Sequence, residues 1–236
     1  MSIATNSAQR TRIKICGLTR EEDVDSAVAA GADAIGFVLY KASPRYVSPL
    51  RAAELSKRLP PFVTPVLLFV NENATNVISA KAINTLAIAQ FHGDETPEQC
   101  NQLGLPYIRA ARIPLGDGAA SFDLVKYAHD YSQAKAILLD AHVEGYGGGG
   151  KTFNWSLLPT NVNAHLVLSG GLNAANVTDG ILQVRPRCKT LAVDVSSGVE
   201  ATDAQGNAIK GVKDARKIHQ FIQAVRAADA QFNQTI

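Results

Sequence analysis

The sequence predicts an α/β protein folded as a single-domain parallel (β/α)8 TIM barrel. Eight short apolar runs rich in Val, Ile and Leu follow one another without clean polar alternation, which is typical of strands buried on both faces. Segments of helical period separate these runs. The length of 236 residues suits one α/β barrel domain. An open doubly wound sheet is the competing fold, but it more often uses fewer strands.

The predicted strands are spread along the whole chain, and no low-complexity linker divides it. We therefore expect a loose N-terminal tail over residues 1–11 and one catalytic barrel domain over residues 12–236. The apolar runs that we interpret as strands cover residues 13–16, 34–39, 63–70, 86–91, 107–111, 137–139, 164–168 and 191–195.

Helix-start signals lie between the predicted strands. Thr19, with Glu22 three residues later, predicts a capping box that opens the first helix. Two further helices should begin where a cap residue precedes a proline at the first helical position. These two sites are Ser48-Pro49 and Thr96-Pro97.

The C-terminal part of the chain carries weaker signals. Asn173 predicts the cap of a helix over residues 174–182. Residues 201–210 are a slightly long insertion after the eighth predicted strand, and we expect a surface loop there. The pattern of residues 211–226 predicts a closing amphipathic helix.

The composition is that of an ordinary soluble protein, with 46% hydrophobic and 19% charged residues. The net charge of +2 gives no reason to expect nucleic acid as a partner, and no apolar run is long enough to span a membrane. The first ten residues lack the apolar core of a targeting signal. We therefore expect a cytoplasmic protein without nucleic-acid or membrane partners, with a monomer favoured over a homodimer.

The cysteines argue against a disulfide framework. Cys16, Cys100 and Cys188 are odd in number and lack CxxC spacing, so neither disulfides nor a zinc site is expected. Cys100 and Cys188 should be structural. No ligand spacing joins Cys16 with His92 or His142, and we expect no metal.

The segment GYGGGGKT, residues 145–152, matches the phosphate-cradling pattern G-x-x-x-x-G-K-[ST] of nucleotide hydrolases. That motif needs a strand directly before it and a long helix directly after it. Here four residues separate Asp140 from the first glycine, and Pro159 leaves room for barely a turn or two. We interpret the segment as a loop over the site, including Gly147, Gly148, Gly150 and Lys151; a P-loop hydrolase is the alternative.

Polar residues occur where each predicted strand ends, the edge at which barrel enzymes build their sites. They are Cys16 with Gly17, residues 40–45, Asn71, His92 with Gly93, Arg109 with Arg112, Asp140, residues 169–171 and residues 194–198. The last two groups are glycine-rich turns whose backbone amides can approach an anion. We expect a phosphorylated small-molecule substrate bound by Gly170, Gly171, Ser196, Ser197 and Gly198.

Seven short motifs in this order resemble the phosphoribosylanthranilate isomerase family of tryptophan biosynthesis. The resemblance extends over nearly all of residues 12–226, and its strength lies in the order and the barrel-compatible spacing of the motifs. They are KICGLT (14–19), SPRY (43–46), QFHG (90–93), LLD (138–140), GGGGKTF (147–153), LSGGL (168–172) and DVSSGVE (194–200).

The resemblance implies an Amadori rearrangement of N-(5-phosphoribosyl)anthranilate to 1-(2-carboxyphenylamino)-1-deoxyribulose 5-phosphate. An acid protonates the ring oxygen, the ring opens to an iminium, and a base removes the C2 proton, so that no metal or redox cofactor is needed. By this resemblance Cys16 is the general base and Asp140 the general acid. Arg45 is placed near the anthranilate carboxylate.

Each assignment has a structural alternative. Cys16 alone could be an inert packing residue, Asp140 a solvated strand-end carboxylate and Arg45 a surface charge. His92 and Asp194 are predicted to bind substrate. However, a lone strand-end histidine is more often a structural hydrogen bonder, and Asp194 could instead orient a turn. A non-catalytic phosphometabolite-binding barrel is therefore a further alternative.

The chain departs from the family pattern at two places. Gly149 stands where the family commonly has Ser or Thr, and Asn154 stands where it commonly has Asp. Gly149 loses a hydroxyl, which we expect to loosen the loop. Asn154 loses a charge but could keep the hydrogen bonds of a turn or cap. Neither residue is the proposed acid or base.

Overall fold

The computed structural model describes residues 10–115, 122–141 and 152–234. Within them, eight parallel strands close into a barrel in sequential order, each paired with the next and β8 with β1. The predicted (β/α)8 barrel is confirmed. The strands are β1 Arg12–Cys16, β2 Ala34–Val38, β3 Thr64–Phe69, β4 Ile88–Phe91, β5 Tyr107–Ile113, β6 Ala136–Ala141, β7 His165–Leu168 and β8 Thr190–Val195.

The helices in the described part of the chain lie between the strands or after them. They are α1 Glu21–Ala30, α2 Pro49–Ser56, α3 Ala74–Ile83, α4 Pro97–Asn101, α5 Leu124–Asp130, α6 Val177–Val184 and α7 Ala215–Gln234. The predicted caps of α2 and α4 are confirmed. Ser48 accepts from the backbone N–H of Arg51, and Thr96 forms a reciprocal capping box with Gln99.

Two other caps were predicted wrongly. The N-cap of α1 is Arg20, because the Thr19 hydroxyl instead donates to the carbonyl of Gly211 at 2.8 Å. At α6 the N-cap is Asn176. Asn173 acts before it, accepting from the backbone N–H of Ala175 at 2.8 Å. In both places a competing partner takes the side chain that local spacing had assigned to the helix.

The insertion after β8 is an antiparallel hairpin, β9 Glu200–Thr202 and β10 Ala208–Lys213, not the expected surface loop. The predicted start of the closing helix at residue 211 is also wrong. Gly211 has φ +83°, which does not fit a helix, and its N–H donates to Glu200 Oε1 at 2.9 Å. Helix α7 therefore begins at Ala215.

Strand alternation divides the apolar core into two layers. Small clusters fill the barrel interior, one containing Val38 and Leu68 and one containing Ala110 and Leu138. The large cluster packs the outer faces of the strands against the helices. A strand side chain that points inward near the C-terminal end therefore faces the barrel mouth.

Arg109 belongs to the outer layer, although the sequence placed it at the mouth. Its guanidinium donates to the carbonyls of Phe91 (2.9 Å) and Gly93 (3.0 Å) and lies 5.0 Å from the ring centroid of Tyr131. It is also 3.1 Å from Glu95 Oε2. The strand alternation explains the error, because Arg109 is one position out of phase with the inward-facing residues of β5.

The two ends of the described chain meet in a buried polar cluster. Thr11 is fully buried, and its backbone N–H and hydroxyl donate to Asp229 of α7 at 3.0 and 2.6 Å. Arg185 also pairs with Asp229. Residues 1–9 of the expected tail lie outside the described residues, and Thr11 is packed. No helix among the described residues is long and apolar enough to cross a membrane.

Candidate active site

The inward-facing ends of four strands carry buried polar side chains. Cys16 lies on β1, Asp140 on β6 and Asp194 on β8, and His92 directly follows β4. Each is less than a tenth exposed and lies near the small apolar clusters of the barrel interior. The sequence predicted all four at strand ends, and the structure turns their side chains to the same side of the sheet.

Cys16 lies next to a glycine that makes room for it. In the β1–β2 register Cys16 pairs with Gly36, and a Cβ at Gly36 would lie 2.6 Å from the Cys16 sulfur and 3.0 Å from Lys14 Nζ. Sulfur and ammonium are thus close neighbours. Burial raises the pKa of the Cys16 thiol, and Lys14 opposes this increase without cancelling it.

Lys14 is a site residue that the sequence reading missed. Its ammonium is 2.9 Å from Asp194 Oδ1, and the other Asp194 oxygen accepts from the Ser169 hydroxyl at 3.4 Å. Burial alone would lower the pKa of Lys14, but Asp194 and Cys16 outweigh it and raise the pKa. The available signal was a lysine inside an apolar strand, two positions before Cys16 and therefore on the same face.

Asp140 joins His92 and Gln90 in a buried row of hydrogen bonds. His92 Nε2 is 3.0 Å from Asp140 Oδ2, and His92 Nδ1 is 3.1 Å from Gln90 Nε2. Asp140 Oδ1 faces the turn after β7, where a Cβ at Gly170 would lie 2.9 Å from it. Both ring nitrogens of His92 therefore have protein partners.

Arg45 reaches into the mouth beside Cys16. A Cβ on Gly17 would lie 2.6 Å from Arg45 Cδ, so the arginine stem passes directly over this glycine. Two guanidinium nitrogens contact the carboxylate of Glu200, at 2.6 and 2.8 Å. Lys213 Nζ lies 3.3 Å from the same carboxylate. Burial alone would raise the pKa of Glu200, but Arg45 and Lys213 outweigh burial and lower it.

The structure brings the two glycine-rich turns together. Gly170 and Gly171 have φ of +77° and +63°, conformations that favour glycine, and no described acceptor takes their backbone N–H groups. A Cβ at Gly198 would lie 1.9 Å from the carbonyl oxygen of Leu172, so only glycine allows this contact. Ser196 and Ser197 belong to the same turn, and the Ser196 carbonyl accepts from Lys213 Nζ at 2.9 Å.

The segment after β6 is only partly described. Gly147, Gly148, Gly149, Gly150 and Lys151 lie outside the described residues. From Thr152 to the next strand the described chain forms a 3-10 helix of three residues, Trp155–Leu157. A P-loop would require a long helix here, so the geometry argues against that alternative. Asn154 keeps the cap, accepting from the backbone N–H of Ser156 at 3.1 Å.

The remaining cysteines are not part of this site. Cys100 lies in α4 and Cys188 follows α6; burial raises the pKa of each thiol to about 11. The three cysteines are free. Among the described residues, no three His, Cys, Asp or Glu side chains are grouped so as to hold a metal ion.

The sequence matches one family model over most of its length. Residues 13–224 match the model described as N-(5'phosphoribosyl)anthranilate (PRA) isomerase. The chain is 59% identical over 222 residues to the N-(5'-phosphoribosyl)anthranilate isomerase of Methylibium petroleiphilum, a match that covers 94% of this chain and 97% of the relative.

Solved structures resemble the fold closely. One is a crystal structure of phosphoribosyl anthranilate isomerase in complex with reduced 1-(o-carboxyphenylamino)-1-deoxyribulose 5-phosphate, with 38% identity and TM-score 0.74, covering 92% of this chain and 99% of the other. Another is a crystal structure of mutually generated monomers of the dimeric enzyme from Thermotoga maritima, with 36% identity, TM-score 0.71 and the same coverage.

Proposed function

The chain belongs to the N-(5'-phosphoribosyl)anthranilate isomerase family, and from this premise we propose that Cys16 and Asp140 are its general base and general acid. The reaction would be the Amadori rearrangement that makes 1-(2-carboxyphenylamino)-1-deoxyribulose 5-phosphate, a step of tryptophan biosynthesis. The observation that carries the proposal is that both groups are buried inside one barrel mouth, on β1 and β6, each with its own polar support.

The acid step would use Asp140. Protonation of the furanose ring oxygen lets the anthranilate nitrogen open the ring, giving an iminium at C1. After donating its proton, Asp140 is an anion, and an N–H of His92 at 3.0 Å from Oδ2 stabilises that charge. The support is in place before the proton moves, which lowers the reorganisation required in the reaction.

The base step would use Cys16. The iminium acidifies the C2 proton, and a thiolate can remove it to give the enamine that relaxes to the ketone. Burial holds the thiol mostly protonated, because its pKa is raised. The ammonium of Lys14 beside the sulfur favours the thiolate and so limits the cost of forming the base.

Arg45 and the two turns would recognise the substrate at its two ends. Glu200 holds two nitrogens of the Arg45 guanidinium, which fixes its position and leaves the third nitrogen for an anthranilate carboxylate. The backbone N–H groups of Gly170 and Gly171 and the turn at residues 196–198 would take the phosphate. We assign His92 and Asp194 to support, because their polar atoms contact Asp140 and Lys14.

The test follows the loss of phosphoribosylanthranilate fluorescence with purified full-length protein. We expect Cys16→Ala and Asp140→Asn each to lower kcat by about 100-fold or more while still binding a phosphorylated product analogue. Cys100→Ala is the matched control, a second buried cysteine outside the site, and should retain kcat. Full activity in Cys16→Ala would remove the proposed base, and inactive wild type that binds the analogue would indicate the non-catalytic barrel.

We also propose a homodimer, in place of the monomer favoured by the sequence. Phe62 is fully exposed and Leu86 is 85% exposed, and both line one groove at the N-terminal end of the barrel. Such an apolar pair favours burial against a second copy, and the Thermotoga maritima relative is described as dimeric. Light scattering should give twice the chain mass for wild type and the single mass for Phe62→Ser. Leu157→Ser, elsewhere on the surface, should stay dimeric. A single-chain mass for wild type would contradict the homodimer and support the monomer.

A further inference from the structure

The row Gln90–His92–Asp140 runs up the inside of the barrel towards the mouth. Gln90 is fully buried in β4, and its side chain amide nitrogen lies 3.1 Å from His92 Nδ1. The opposite ring nitrogen lies 3.0 Å from Asp140 Oδ2. The mechanism above uses His92 and Asp140 and gives Gln90 no role.

The amide of Gln90 decides which nitrogen of His92 carries the proton. A neutral imidazole has one N–H and one lone pair, and an amide N–H pointing at Nδ1 needs the lone pair there. The ring proton must then be on Nε2, and this N–H donates to Asp140 Oδ2. A second proton, on Nδ1, would collide with the amide N–H.

We propose that Gln90 is a positioning residue that directs the acid proton of Asp140 to Oδ1. The inference rests on the proposed role of Asp140. Because the His92 N–H occupies Oδ2, a protonated Asp140 holds its proton on Oδ1, the oxygen beside Gly170 at the barrel mouth. Were the amide reversed, Nδ1 would carry the ring proton and the lone pair of Nε2 would draw the acid proton to Oδ2, away from substrate.

The second polar atom of Gln90 strengthens this interpretation. Its carbonyl oxygen Oε1 is buried and has no hydrogen-bond partner among the described residues. Burying an unpartnered carbonyl costs free energy, and a methionine of similar size would fill the same space without that cost. The hydrogen bond from the amide N–H to His92 therefore explains why a glutamine occupies this position, whereas packing does not.

The strands on either side of Asp140 carry few titratable or charged groups within the described residues, and His92 is the one that contacts its carboxylate. On the neighbouring strand β5, Arg112 is the register partner of Asp140, and its side chain is 2.8 Å from Asp94. On the other side, β7 and its turn contribute Ser169 and Gly170, which do not titrate in the working range. His92, directly after β4, is the titratable group that contacts Asp140 within the described residues.

The first test reads the tautomer directly. In 15N spectra of the full-length protein labelled at histidine, we expect His92 to be neutral with its proton on Nε2, its signals assigned by their loss in His92→Gln. In Gln90→Glu the carboxylate accepts from Nδ1, so Nδ1 should become protonated. A wild-type spectrum that shows Nδ1–H or an imidazolium at neutral pH would overturn the proposal.

The second test separates positioning from packing. We expect Gln90→Glu to lower kcat by about 10-fold or more with little change in KM, and to move the alkaline limb of kcat to lower pH, because a cationic His92 withdraws the acid proton from Asp140. Gln90→Met should lose less kcat. The matched control is Gln99→Glu. Gln99 is exposed at the third position of α4, where glutamate can form the same capping box, so kcat should not change.

Equal losses in Gln90→Glu and Gln90→Met with unchanged pH profiles would assign Gln90 to packing alone. Asp140→Asn assayed in parallel keeps the two proposals apart. If Asp140→Asn remains fully active, the proposed acid is wrong, and the His92 spectra still report whether Gln90 sets the tautomer.

Discussion

The surroundings of the Cys16 thiol act on its pKa in opposing directions. Burial raises its pKa, Lys14 lowers it, and the Asp194 carboxylate raises it again. Burial is the largest of these, so the thiol is protonated over the neutral range. A base held in this state acts through a small thiolate population, and the charges around the sulfur set the size of that population.

The balance of charges predicts opposite pH shifts for two substitutions. Lys14→Met removes the cation that favours the thiolate, so the pKa of Cys16 rises further and the rising limb of kcat/KM moves to higher pH. A shift of one pH unit lowers kcat/KM about 10-fold below the limb. Asp194→Asn removes an anion and should move the limb to lower pH. Steady-state pH profiles measure both, and shifts in the same direction would contradict this account.

A sequence motif identified Arg45 as a candidate site residue but did not reveal the ion pair that positions its side chain. The motif placed it near a substrate carboxylate, but the carboxylate that positions it, Glu200, lies 155 residues away in sequence. Glu200 belongs to a motif that was recognised, yet only the fold shows that it faces Arg45. Pairing over that distance follows from barrel closure and leaves no local pattern.

At the scale of elements, the hairpin β9–β10 supplies Lys213, whose ammonium contacts Ser196 and Glu200 beside the turn after β8. Burial lowers the pKa of Lys213, and Glu200 opposes that decrease. The surface loop that the sequence predicted would not have held the Lys213 side chain in a defined position. The hairpin thus links the turn after β8 to the arginine that faces the proposed anthranilate position.

Helix α7 is tied to the start of the barrel by Asp229. Burial alone would raise the pKa of Asp229, but Arg185 and the hydrogen bonds from Thr11 outweigh it and lower the pKa. A carboxyl with a lowered folded-state pKa contributes stability above its unfolded pKa of about 3.9, and that contribution is lost as the pH falls through the folded value. The contribution is therefore fully present at neutral pH.

Breaking this cluster should destabilise the fold strongly. We expect Asp229→Asn to lower the free energy of unfolding by about 3 kcal/mol at pH 7, because the buried Arg185 loses the carboxylate with which it pairs. Urea denaturation measures the change, and the deficit should shrink below about pH 4. Asp130→Asn is the control, since the pair Lys126–Asp130 lies on the surface, where solvent and salt screen it. Equal losses in the two variants would refute the role of Asp229.

At the scale of the whole molecule, the barrel decides how its glycine-rich segments are interpreted. The motif at residues 145–152 fits a nucleotide cradle letter by letter, whereas the turns after β7 and β8 carry no such signature. The turns after β7 and β8 meet at the mouth, where Gly198 packs on Leu172 and Gly170 borders Asp140. The position of a glycine in the fold therefore matters more than its motif.

Ligand stabilisation distinguishes the two interpretations. A phosphorylated product analogue at about 100 times its Kd should stabilise the native state by about 2.7 kcal/mol, because it binds folded protein alone. ATP with magnesium should leave the melting temperature unchanged. Thermal shift measurements on wild type and Lys151→Ala provide the comparison. A rise with ATP that Lys151→Ala abolishes would support the P-loop alternative.

The sequence by itself determined the barrel, the strand that carries each proposed site residue, and the strong caps at Ser48 and Thr96. These features depend on local patterns, namely apolar runs, turn residues and cap spacing, that each segment carries within itself. It did not predict the hairpin β9–β10, which contains Gly211 with φ +83° and pairs only after the chain folds back on itself.

The tertiary structure alone decided which polar residues work together. Lys14 reaches Cys16 and Asp194, Glu200 holds Arg45, and Gln90 contacts His92 inside the barrel. Strand alternation turned Arg109 away from the mouth although it lies on the same strand as Arg112. The physical reason is that hydrogen bonds and ion pairs depend on distance and direction in space, and these are set by closure of the sheet and not by neighbours in sequence.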